Sequence, residues 1–166
     1  MSLYKIHNGP MPTTAAQAVV TTGTAIKTLL QLKGFNFYKI VAWEISFDGS
    51  AAAAGIKCEL VETGTVFGTV TASADVDVLK WDGTEQAVAS VAGLTLSTSG
   101  TGYTCTSEGS ITATRVFDAQ LIQPTNQYVR EFSLGREPRI PIGNAVRVRV
   151  TAAAAVNAYC SLIIDL

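Results

Sequence analysis

The stretch from Ile140 to Leu166, I-P-I-G-N-A-V-R-V-R-V-T-A-A-A-A-V-N-A-Y-C-S-L-I-I-D-L, decides the fold class of this chain. Val146, Val148 and Val150 alternate with Arg147, Arg149 and Thr151, the period of two that a strand shows when one face is dry and the other wet. The arginines are therefore expected on the solvent side. After the small residues 152–155, the run from Val156 to Ile164 sets Cys160, Leu162 and Ile164 on one face and Tyr159, Ser161 and Ile163 on the other. Both faces of that strand are expected to be covered, with the C-terminal residues folded into a sheet. Two adjoining strands with almost no reactive side chain favour a scaffold or building block over an enzyme.

Working outward, F-Y-K-I-V-A-W-E-I-S-F at 37–47 puts Val41, Trp43, Ile45 and Phe47 on one face and Tyr38, Ile40, Ala42 and Glu44 on the other. Asp48-Gly49-Ser50 is turn chemistry, and 56–63 reads as the return strand of a hairpin, with Ile56, Cys58 and Leu60 inward and Lys57, Glu59 and Val61 outward. Shorter strands fit 18–21, 26–32, 65–71, 77–81, 110–117, 119–123 and 128–134, separated by turn signals typical of sandwiches and barrels. The fold class is all-β: an antiparallel β-sandwich, or jelly-roll-like unit, forming a single domain over residues 18–166. Residues 1–17, with Asn8-Gly9-Pro10 and Pro12, read as an extended N-terminal arm lying on a neighbour, or as a frayed terminus. Residues 83–106 read as an excursion, either a long loop or a weakly registered hairpin.

Composition agrees with strands. Of 166 residues, 48% are hydrophobic but only 8% aromatic, so the apolar weight lies in Ala, Val, Leu and Ile, alongside abundant Thr and Gly. Charged residues make up 15%, below the roughly 25% of ordinary soluble domains, which points to apolar exterior and hence to self-association or assembly. A net charge of −1 gives no polyelectrolyte pull toward nucleic acid, and no run is long enough to cross a bilayer as a helix. The first ten residues lack the apolar core of a secretion signal, so synthesis in the cytoplasm is expected, with no nucleic-acid or membrane partner. Cys58, Cys105 and Cys160 are odd in number and far apart, which favours buried thiols over a disulfide framework or zinc ribbon.

A search for chemistry finds little. The lone His7 argues against histidine triads and histidine-rich metal sites. Asp75, Asp77 and Asp82-Gly83 miss the calcium-loop spacing and read as a solvated turn. Glu59, Glu62, Asp118 and Glu131 supply carboxylates, but nothing selects a catalytic pair. No phosphate-binding glycine motif and no nucleophile elbow occurs, so no catalytic, cofactor or metal residue is assigned and no cofactor is expected. Trp43 belongs to the core by its alternation, whereas Trp81, beside Asp82-Gly83, is the tryptophan expected at the surface.

One loop stands out. In L-G-R-E-P-R-I-P-I-G, residues 134–143, two prolines stiffen the backbone while Arg136, Glu137 and Arg139 project charge. Such a loop suits docking, because a pre-ordered segment loses little entropy on binding and arginine forks pair with carboxylates. An internal Arg–Glu pair closing one end of the sandwich reads equally well.

Several of these segments together resemble a known group. S-I-T-A-T-R-V-F-D-A-Q-L-I-Q-P-T-N-Q-Y-V at 110–129, L-G-R-E-P at 134–138 and V-R-V-R-V-T-A at 146–152, with W-E-I-S-F-D-G-S at 43–50 and I-K-C-E-L at 56–60, are similar to the head decoration, or cement, proteins of tailed bacteriophages. The similarity spans 37–166 and fades over 83–106. It implies a jelly-roll or sandwich subunit, a homotrimer on the capsid exterior, the major capsid protein as partner and a structural, non-enzymatic role in the virion. On that reading Tyr4, His7, Pro10 and Pro12 of the arm, and Arg136, Glu137 and Arg139 of the stiff loop, are the expected capsid or subunit contacts. The alternative is a carbohydrate- or receptor-binding module of a phage tail or fibre, with Trp81 and Tyr103 in loops as stacking residues. A tail or head–tail connector component is a third reading.

Overall fold

Val146, Val148 and Val150 turn inward from a strand at the centre of one sheet, and Cys160, Leu162 and Ile164 do the same from the centre of a second, all six at most 1% exposed. Each fully buried side chain of this size contributes about 1.5–3 kcal/mol. The two inner faces meet as an antiparallel β-sandwich. A computed structural model describes residues 2–11, 14–50, 53–81 and 93–166.

The first sheet runs in the order β10 (Gln127–Glu131), β4 (Tyr38–Phe47), β13 (Asn157–Asp165), β1 (Leu3–His7), β7 (Val78–Lys80). The short β11 (Arg139–Ile140) also pairs with β4, and β2 (Val20–Thr21) with β13. The second sheet runs β6 (Thr69–Ala72), β8 (Gly102–Ser107), β3 (Lys27–Lys33), β12 (Ala145–Thr151), β5 (Ile56–Gly64), β9 (Arg115–Ile122). Among the described residues the only helical element is a 3-10 turn at Asp75–Asp77. Early strands pair with late ones in nested order: β1 with β13, β3 with β12, β4 with β10, β5 with β9. These pairs fall alternately in the first and second sheets, so the chain is one long double ribbon wound around its own core.

Several expectations need correction. Residues 1–17 are not an arm throughout: Leu3–His7 forms β1, held between β13 and β7, and Tyr4, Ile6 and His7 are buried in this chain's own fold. Asn8 follows, fully buried, with its amide donating to the Ala158 carbonyl and its side-chain oxygen accepting from the Cys160 amide. The alternation of Tyr4 and Ile6 is a strand signal that the neighbouring Asn-Gly-Pro obscures. Nor do β4 and β5 make a hairpin. They belong to different sheets, because a connection of eight residues, 48–55, is long enough to cross the sandwich and each strand finds a better partner there.

The expected wet face of β12 is also dry: Arg147 is fully buried and Arg149 nearly so. Two straps, 65–68 and 108–114, lie over them. Arg147 donates to the carbonyls of Val66, Glu108 and Ser110 and to the Glu108 carboxylate, while Arg149 donates to Glu59 and to the Ile111 carbonyl. Burial lowers the pKa of Arg147, and the Glu108 charge works against that. The segments expected as separate strands at 110–117 and 119–123 are thus a strap followed by one bulged strand, β9. The 93–106 part of the expected excursion ends in β8, a true member of the second sheet; residues 83–92 lie outside the described residues.

The pattern of β4 is reconciled by a bulge at Val41. The register on β13 slips there, so that Tyr38 and Ile40 before it and Trp43, Ile45 and Phe47 after it all face inward.

Candidate functional site

The loops at one end of the sandwich collect exposed apolar side chains. Segment 34–37, between β3 and β4, shows Phe35 and Phe37, the latter 52% exposed; the 132–138 loop shows Leu134 at 83%; and 141–144 shows Ile142. Three contacts bind these loops into one surface. The Gly143 amide donates to the Gly34 carbonyl at 3.0 Å, the Ile40 amide donates to the Pro138 carbonyl at 3.0 Å, and the Arg139 guanidinium lies 4.5 Å over the Phe37 ring. Gly34 is required where it stands, since a Cβ would come within 2.5 Å of the Asn36 carbonyl oxygen and 2.8 Å of the Tyr38 ring. The turn at 133–136 closes by a hydrogen bond that the Arg136 amide donates to the Ser133 carbonyl, with Gly135 at φ +81°.

Charge frames this apolar end. Arg115 pairs with Glu62, which also accepts from the Asn144 amide, and donates to the Arg139 carbonyl at 3.1 Å. Arg136 and Arg139 are exposed, and the expected internal Arg–Glu pair of the stiff loop does not form: Glu137 accepts from its own amide and that of Gly135, which hold its carboxyl below the usual range. The loop therefore keeps both arginines directed outward or onto aromatic faces. Phe35, Phe37 and Ile142 were missed in sequence; the signal is the pair of phenylalanines in G-F-N-F, sitting in a turn where neither can reach the core.

The other expected contacts divide. Tyr4 and His7 are inside the fold and cannot reach a neighbour without unfolding β1. Pro10 is exposed, on the segment after β1, and Pro12 lies outside the described residues. Burial and the nearby Lys5 ammonium lower the pKa of His7 to about 4, with the Glu44 charge opposing, so His7 is neutral at ordinary pH, packed 4.9 Å from the Tyr159 ring. Tyr103 is half-buried in β8 of the second sheet, not in a loop, whereas Trp81 follows β7 of the first; the two are not brought together.

The remaining polar groups serve the fold. Asp77 accepts from the amides of Met11 and Ala74, both at 2.8 Å, and its expected neighbour Asp82 lies outside the described residues. Asp118 bridges the sheets by accepting from the Trp43 indole at 3.0 Å and the Tyr128 hydroxyl at 2.8 Å, with Arg130 3.9 Å away. Burial pushes its carboxyl up, but the hydrogen bonds from Gln120, Tyr128 and Trp43 and the Arg130 charge outweigh it and hold the group low. Cys58, Cys105 and Cys160 are buried free thiols, and burial raises the first two to about 12 and about 11 and the third well above its ordinary value. Thiols held protonated in this way are poor nucleophiles. The chain matches no protein-family model, no curated protein and no solved structure.

Proposed function

We propose that this chain is a non-enzymatic structural virion protein, a decoration or cement protein that binds the outside of a phage capsid and stabilises it. The observation that carries the reading is the apolar, arginine-framed end built from Phe35, Phe37, Leu134 and Ile142. Four large apolar side chains exposed on three loops cost solvation in a free subunit and gain it back against a protein surface. Arg136 and Arg139 beside them suit a polar rim that pairs with carboxylates on the major capsid protein. The nested strand pairing supports the same reading by analogy of fold alone, since pairs nested between two antiparallel sheets also build the jelly rolls of viral capsid and lectin domains.

Assembly as a homotrimer would multiply modest contacts by avidity, so that three docked ends brace neighbouring capsomers together. The experiment is co-sedimentation of the purified protein with expanded capsids of the phage that encodes it, alongside light scattering of the protein alone. Saturable binding that Leu134→Asp and Phe37→Asp each weaken at least tenfold is the expected result. A strict monomer that stays in the supernatant at every concentration overturns the proposal.

A further inference from the structure

The outer face of the first sheet holds a cleft of about 220 Å³, apart from the loop end and not needed for docking there. Strand register explains why it exists. Lys5, Ile163, Ala42 and Glu131 form one row across β1, β13, β4 and β10, and Ser161, Glu44 and Val129 form the next. Ala42 is the small member between two larger ones, so the sheet surface dips above it. Trp81 stands at the rim, 59% exposed, its amide tied to the Leu3 carbonyl at 3.0 Å.

The polar groups around the dip are pre-positioned. Glu44 Oε1 accepts from the Lys5 ammonium at 2.5 Å and from the buried Ser161 hydroxyl at 2.6 Å, and these partners hold its carboxyl low against the cost of burial. Glu131 presents a second, exposed carboxylate from the neighbouring row. The cleft thus offers an indole face, two acceptors and one ammonium donor, over a floor of Ala42, Ile163 and Val129.

The geometry points to a saccharide-binding site here, taking the end of a neutral glycan with Trp81 as stacking platform and Glu131, Glu44 and Lys5 as hydrogen-bonding groups. A sugar ring has an apolar C–H face that stacks on an indole and hydroxyls that both donate and accept, which is what this mixed set requires. A basic side chain needs acceptors only and meets Lys5 at the centre. An acidic sugar meets two carboxylates against one ammonium. The volume lies below the roughly 300–1,000 Å³ of drug-sized pockets, which suits one or two rings rather than a polymer strand. This inference does not rest on the capsid reading.

The test is an array of neutral, N-acetylated and sialylated glycans together with an arginine-rich peptide, followed by calorimetric titration of the tightest neutral glycan. Retention of neutral glycans is expected, with at least a tenfold loss of affinity in Trp81→Ala, most of it restored in Trp81→Phe, and a smaller loss in Glu131→Gln. Unchanged melting temperatures show that the variants fold. Leu134→Asp is expected to keep full glycan affinity, which separates this site from the docking end. Failure to bind any glycan at millimolar concentration, indifference to Trp81→Ala, or preference for the basic peptide or sialylated glycans overturns the inference.

Discussion

Replacing Glu108 with Ala asks whether a buried charge holds the straps over the second sheet. Arg147 is fully buried, and its Nη1 donates to the Glu108 carbonyl at 2.9 Å and the Glu108 carboxylate at 3.3 Å, while Nη2 donates to the Val66 carbonyl at 2.9 Å. The same carboxylate accepts from the Thr28 amide and hydroxyl, both at 2.6 Å. The substitution leaves a buried guanidinium with carbonyl partners only, and takes from the Thr28 amide its carboxylate acceptor. Breaking a buried ion pair from one side costs about 3–5 kcal/mol. The Glu108 side chain keeps 19% exposure, so water partly compensates and the low end, about 3 kcal/mol, is expected. For a chain of this size that lowers the melting temperature by about 6–12 °C. Arg147→Met breaks the same pair from the other side and takes the donor from the Val66, Glu108 and Ser110 carbonyls, so a similar cost of about 3 kcal/mol is expected. The double variant should then fall short of the sum by at least about 1 kcal/mol in urea unfolding followed by circular dichroism. Additivity within about 0.5 kcal/mol refutes the idea that this pair pins the straps.

Three further outcomes follow from other sites. Between pH 6.5 and about 4 the unfolded chain binds a proton at His7 that the fold excludes, so stability falls by up to about 3 kcal/mol as pH drops through that window; His7→Phe should flatten it, read as urea midpoints at several pH values. Asp118, held below its ordinary pKa, contributes stability above about pH 4 that is lost on further acidification, so Asp118→Asn is expected to cost about 1–3 kcal/mol at neutral pH and to show a shallower acid transition. Gly34→Ala, which drives a Cβ against the Asn36 carbonyl, should lower stability by about 1–3 kcal/mol in thermal unfolding and weaken capsid co-sedimentation through displacement of Phe35 and Phe37.

Alternation in β12 and β13 made the sandwich legible, because both strands are central and their inner residues read every second position. What alternation cannot report is what covers the other face. Arg147 and Arg149 read as solvated since nothing local marks residues 65–68 and 108–114, tens of positions away in sequence, as their lids. Bulges were invisible for a related reason: the extra residue at Val41 reverses the facing of Tyr38 and Ile40 relative to Trp43 without any change in composition. Strand partnership was equally hidden between β4 and β5, where adjacency in sequence suggested a hairpin and the long connection allowed a crossing. At the apolar loop end the stiff loop around Arg136 and Arg139 was legible from its prolines, but its companions Phe35, Phe37 and Ile142 came from other loops that only the fold assembles.

The unequal treatment of the two outer faces bears on where partners can bind. Over β12, the middle of the second sheet, straps seal the face and consume its charges: Arg147 and Arg149 are spent on Glu108, Glu59 and main-chain carbonyls, so that surface is stabilised but chemically closed. Over β13 and β4, the middle of the first sheet, Glu44, Ala42 and Val129 line an accessible cleft, while His7 and Ser161 on the same face are buried. With the middle of the second sheet covered, the surfaces left for recognition are the first sheet's outer face, the loop ends and the β9 edge, where Val116 and Leu121 are exposed. The loop end is apolar and rimmed by arginine, which suits a protein surface, and the open face is polar with one indole, which suits a hydroxylated ligand. Because no strand residue of the cleft contributes to the loop end, loss of one binding activity without the other is the behaviour this division requires.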